Sequence, residues 1–210
     1  MKRVMQGLVM AGLLVLGWSA PAHAAVPAID GVVGAGEWLG ALFFGTDPNE
    51  AFQGDAWDLK DFTVLKENSG GAEDGLYFLF RTYGAPTFAG EPPRVSSESK
   101  YIVFIDFDGD GTEDQVIIFN GDQLGGVNVA GGVGALGPDG VELFVPEASL
   151  TGTVGSNTQV AAQLDNGGRF AEDDLPDAGF LRPIPEPASA SLFGLGLLGA
   201  AYVRKRRKRS

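Results

Sequence analysis

An all-β fold, an antiparallel β-sandwich, is what this 210-residue chain predicts. Three observations carry that expectation. Between residues 25 and 168 the apolar stretches are short, rich in β-branched and aromatic side chains, and separated by Gly, Asp and Asn, which turn easily. No segment there shows the apolar spacing of a helix. Six or more short strands at modest spacing fit two layered antiparallel sheets better than an alternating strand-helix array.

The first element is not part of that fold. "MKRVMQGLVMAGLLVLGWSAPAHA" opens with Lys2 and Arg3, continues through an apolar stretch from Leu8 to Leu16, and exits at Ala22-His23-Ala24. This is the anatomy of a secretory signal peptide, expected as a helix over residues 1–24 and cleaved after Ala24. Next come the expected strands: "FTVLKE" (62–67), "LYFLFRTY" (76–83), "YIVFIDF" (101–107), "QVIIFN" (115–120), "VELFVP" (141–146) and "TQVAAQL" (158–164). Trp38, Phe43 and Phe44 read as core residues anchoring a strand ahead of these. "PEASL" after Val145 can open a short helical turn with its proline at the first position. The Gly-rich stretch 128–140 reads as a flexible connection, because a phosphate cradle needs a following helix and a basic residue, and neither is there. Residues 169–184, with a charge run and prolines, read as a solvated linker between the 25–168 domain and the tail.

Export changes the chemistry available. The only His (His23) and all three Met lie within residues 1–24, and the chain has no Cys. A mature chain without imidazole or thiol excludes Ser-His-Asp and Cys-His nucleophiles, zinc and copper sites of the nitrogen and sulfur type, and haem held by His, Cys or Met. Nor can disulfides brace it. Between Ala25 and Ile184 stand seven basic and 26 acidic residues, a net charge near −19. That surface repels nucleic acid and anionic lipid, and suits calcium and a hydrated polysaccharide.

The sharpest internal motif is "DFDGDGTED". Counted from Asp106, carboxylates fall at positions 1, 3, 5 and 9, with Gly111 at 6 and Thr112 at 7. Alternating aspartates that converge on one ion, with a glycine for the sharp turn, form the first half of a calcium loop. Position 12, where an EF-hand needs a bidentate Glu, is Ile117, and the flanks are strands, so an EF-hand is excluded. Two readings stay open: Asp106, Asp108, Asp110 and Asp114, helped by Thr112, bind Ca2+ at a hairpin tip, or Asp-Gly-Asp-Gly is simply a good turn. Trp57, among Asp55, Asp58 and Asp61, and Tyr83 are candidate platforms for stacking on sugar rings. Glu37, Asp55, Asp58 and Glu98 are the carboxylates a glycosidase would draw on, although the domain is small for such an enzyme.

The tail runs Pro185-Glu186-Pro187, then the apolar segment Ala188–Val203, then six basic residues, Arg204–Arg209. The 16 residues of this segment make a helix of about 24 Å, just enough, with snorkelling arginines, for one membrane span. Residues 185–210 resemble the PEP-CTERM sorting signal of Gram-negative, exopolysaccharide-producing bacteria. The resemblance implies a temporary inner-membrane anchor, processing near the Pro-Glu-Pro motif by an exosortase, and a final place at the cell surface or in the extracellular matrix. "IDGVVGAGEW" (29–38), "DGLYFLF" (74–80), "YIVFIDFDGDG" (101–111) and "VELFVPEASL" (141–150) look like landmarks of DOMON-like and family-nine carbohydrate-binding-module sandwiches. That likeness implies binding of sugars or haem, and the absence of mature His and Met counts against haem. The expectation is an exported, non-enzymatic sandwich that binds exopolysaccharide and calcium. The alternatives are a purely structural matrix component without a ligand, and a carboxylate-based secreted glycoside hydrolase.

Overall fold

A computed structural model describes residues 26–50, 54–88, 99–120, 126–165 and 172–184. It is all-β: nine strands in two antiparallel sheets, with a single 3-10 turn, Glu147–Ser149, among the described residues. The first sheet has the order β1-β2-β3-β7-β6 and the second β5-β4-β8-β9. The helices expected over residues 1–24 and 188–203, and the residues Pro185, Glu186 and Pro187, lie outside the described residues. Among the described residues no helix is long and apolar enough to cross a membrane.

The strands are β1 (Phe43–Thr46), β2 (Leu59–Glu67), β3 (Gly75–Thr82), β4 (Lys100–Asp106), β5 (Gln115–Asn120), β6 (Val133–Leu136), β7 (Val141–Pro146), β8 (Gln159–Asp165) and β9 (Asp173–Leu175). Alternation along them builds one core. Leu76, Phe78 and Phe80 of β3, with Val141, Leu143 and Val145 of β7, point from the first sheet. Tyr101, Val103 and Ile105 of β4, with Val160, Ala162 and Leu164 of β8, point from the second. Phe80 meets Tyr101 edge-on across the gap, ring centres 5.6 Å apart, so the two sheets face each other. In β2 a register shift between Leu59 and Asp61 changes the phase. Leu59 therefore points inward before it and Phe62 and Val64 after it.

Three stretches differ from their sequence reading. The Gly-rich connection contains β6, whose Val133 pairs with Phe144 and Gly134 with Leu143. Gly134 is there because the strand passes over an aromatic ring: a Cβ would stand 2.6 Å from Phe119. Second, the stretch read as a solvated linker carries β9, paired with β8 through Leu175 opposite Ala162. Leu175 is buried over Gly45 of β1, Leu181 exchanges backbone hydrogen bonds with Val160 (2.7 and 3.1 Å), and Ile184 N–H donates to Leu42 C=O at 2.7 Å. Third, of the aromatics expected to anchor the first strand, Phe43 is fully buried, Phe44 is 46% exposed and Trp38 is half-buried. Strand alternation puts Phe44 on the opposite face from Phe43.

Residues 30–38 cover the outer face of the first sheet at Glu142. Glu142 is fully buried and accepts the amides of Asp30 (3.0 Å) and Gly31 (2.7 Å) and the indole N–H of Trp38 (3.3 Å). Burial still raises its pKa above the ordinary glutamate value, against those donors.

Candidate functional site

The β4–β5 connection is a hairpin tip closed by Asp114 N–H to Ile105 C=O at 2.8 Å. Gly109 and Gly111 turn the chain with φ of 81° and 91°, a region that side chains with a Cβ rarely enter. Each aspartate then folds back on the backbone. Asp106, fully buried, accepts Gly109 N–H (2.6 Å) and Gly111 N–H (2.8 Å), one at each oxygen. Asp108 accepts Asp110 N–H (3.1 Å), Asp110 accepts Thr112 N–H (2.8 Å), and Asp114 accepts Phe107 N–H (2.8 Å). Burial alone would raise the Asp106 pKa, but the amides of Gly111, Gly109, Asp110 and Asp108 outweigh it and hold the carboxyl below its usual value.

One oxygen each from Asp106, Asp108 and Asp114 lies within 4.8 Å of the others. Asp110 stands outside that trio, and Thr112 enters the loop through its amide. So three of the five sequence-predicted ligands converge. Three carboxylates on one side of a cation leave its other positions to water and carbonyl oxygens. Beside the tip lies a polar pocket of about 300 Å³ lined by Asp108, Gly109, Ser156, Asn157, Gln159, Arg182 and Pro183.

The aromatic candidates sit together elsewhere. Trp57 is half-buried and packs against the core, and Tyr83 is 37% exposed with its hydroxyl donating to Asp47 C=O at 2.7 Å. Tyr83 N–H also donates to Asp58 C=O, which places the two aromatics on neighbouring backbone. Among the glycosidase candidates, Glu37 spends its two oxygens on the amides of Ala28 and Gly34, Asp58 is buried, and Asp55 is exposed. Glu98 lies outside the described residues.

A second acidic group is assembled only by the fold. Asp47 follows β1, Asp58 precedes β2 and Asp173 begins β9, and one oxygen from each lies within 4.8 Å of the others. Sequence reasoning passed over Asp47 and Asp173. The only local signal is the alternation Asp173, Asp174, Leu175, which turns Asp173 to the same inward side as Leu175.

Comparison with protein families finds the PEP-CTERM protein-sorting motif at residues 183–208. Comparison with curated proteins and with solved structures gives no match.

Proposed function

With a PEP-CTERM sorting motif closing the chain, we propose a protein that is exported, held briefly in the inner membrane by residues 188–203, and processed near Pro185-Glu186-Pro187 by an exosortase-type enzyme. Its product is a non-catalytic β-sandwich at the cell surface or in the extracellular matrix. The observation that supports this most is the junction. The fold closes with the Ile184–Leu42 hydrogen bond, and the motif begins at residue 183. Cleavage beside the motif therefore removes none of the buried core, which ends at Leu175 among the described residues.

In this reading Asp106, Asp108 and Asp114 hold Ca2+ at the hairpin tip. The adjoining pocket, with Asn157, Gln159 and Arg182, receives the hydroxyls and carboxylates of an exopolysaccharide, and Tyr83 offers an aromatic face. The acidic surface argues against nucleic acid as a partner. Fractionation of the host tests the sorting half: the wild-type protein should lose its basic tail, and replacing Pro185, Glu186 and Pro187 by Ala should keep it membrane-bound. Full-length chain with its tail intact in the extracellular fraction would overturn it. Retention on the host's own exopolysaccharide, weakened by chelator, tests the binding half. No retention at high polymer concentration would remove it.

A further inference from the structure

The three carboxylates gathered by β1, β2 and β9 have a different character from those of the hairpin tip. Asp47, Asp58 and Asp173 are 6%, 1% and 3% exposed, and Asp173 lies more than 100 residues along the chain from the other two. Asp58 accepts Glu50 N–H at 2.8 Å, and Asp173 accepts Leu59 N–H. Yet Asp47 Oδ2 and Asp58 Oδ1 are buried with no hydrogen-bond partner among the described residues. None of the three aspartates takes part in the ion pairs formed by described residues, Lys66–Glu147, Arg81–Asp61 and Lys100–Asp165. Instead the charge of Glu50 acts on all three carboxyls, and that of Asp177 on Asp47. A hydrogen bond between the Asp47 and Asp173 side chains eases this only in part; buried, mutually repelling carboxylates with orphaned oxygens are costly unless a cation or a shared proton sits among them.

We propose that Asp47, Asp58 and Asp173 form a buried site for a hard divalent cation, Ca2+ in the exported protein, which clamps strand β9 of one sheet to the β1–β2 connection of the other. The donor set is oxygen only, which selects calcium or magnesium over softer metals. The two orphaned oxygens are the observation that demands a ligand, and a divalent ion offsets two of the three negative charges of the trio. Without metal, burial and then the neighbouring acids lift the carboxyls of Asp47 to about 6 and of Asp173 to about 7, so the rival occupant is a proton shared between the two. This site is separate from the hairpin tip, and it stands whether or not that tip binds calcium. Because β9 ends at Leu175, shortly before the sorting motif that begins at residue 183, the clamp fixes the C-terminal end of the domain once export brings the chain into calcium-rich surroundings.

The test uses residues 25–184, which contain every described strand and the whole described core. Asp108→Asn with Asp114→Asn silences the hairpin tip, and the protein is stripped with chelator. Calorimetry near pH 7.5 should then show one Ca2+ bound per chain. Calcium at about 100 times its dissociation constant should raise Tm by about 5–10 °C. Adding Asp173→Asn should weaken binding at least tenfold. If that variant does not fold, Tb3+ luminescence sensitised through Trp57, adjacent in sequence to Asp58, reads the site with all three carboxylates in place, and Trp57→Phe should diminish the signal. No Ca2+ or Tb3+ binding in the tip-silenced protein would overturn the proposal in favour of shared protons. Undiminished binding in folded Asp173→Asn would place the ion elsewhere and overturn it equally.

Discussion

Leu175→Ala asks whether residues 172–184 belong to the fold or merely lead away from it. In the structure Leu175 is 1% exposed, belongs to the common core, and fills the space above Gly45 beside Leu181. Truncating a buried leucine removes its transfer free energy and leaves a cavity, a loss of about 2–5 kcal/mol. At the edge of a sheet some collapse is available, so about 3 kcal/mol is expected. For a domain of this size each kcal/mol moves Tm by about 2–4 °C, and the variant should therefore melt about 6–12 °C lower. The control is Asp174→Ala, one residue earlier on the same strand, whose exposed side chain accepts Gln163 Nε2 at 2.8 Å. It should change stability by about 0.5 kcal/mol or less. Thermal unfolding of the 25–184 domain by circular dichroism, with calcium held constant, measures both. If Leu175→Ala is as mild as Asp174→Ala, residues 172–184 behave as a solvated linker and the account of the second sheet's edge is refuted.

Two further outcomes follow from the polar contacts. Glu142→Ala strands the amides of Asp30 and Gly31 and the Trp38 indole on the outer face of the first sheet, and should destabilise the domain by about 2–3 kcal/mol; hydrogen exchange at Gly31 unchanged from wild type would count against the strap. Asp74 accepts Gly70 and Gly71 amides and the Ser69 hydroxyl. Against the raising effect of burial, the Gly71 and Gly70 amides and Ser69 hold its pKa below the usual value of 3.8. A depressed carboxyl contributes stability that is fully present above the unfolded value and is lost as pH falls through the folded one. Asp74→Asn should therefore flatten the acid limb of a stability–pH curve below about pH 4, and an unaltered limb would show that the turn contributes nothing to acid sensitivity.

Much of the fold was legible because it is local. "QVIIFN" and "VELFVP" are β5 and β7 to the residue, since alternating apolar and β-branched side chains between turn formers suit a pleated surface wherever it packs. The hairpin-tip aspartates were legible for the same reason: neighbours in sequence, they can hardly avoid meeting in a tight turn, although only Asp106, Asp108 and Asp114 converge. The sorting tail is a linear address, read without any fold.

What the sequence could not show is what depends on distant partners. β6 and β9 are short, Gly-rich or acidic, and without strand character of their own; pairing with β7 and β8 makes them strands. Glu142 alternates like a solvent-facing residue and is buried only because the N-terminal segment returns across it. Asp173 looked like one charge in a linker until β9 carried it to Asp47 and Asp58, 115 or more residues earlier. By itself the sequence determined the local conformations, the overall charge and the C-terminal sorting motif, because each is set by residues close together along the chain. Only the tertiary structure decided the sheet edges, the covered outer face and the buried carboxylate trio, because burial and proximity between remote segments exist only once the two sheets have closed.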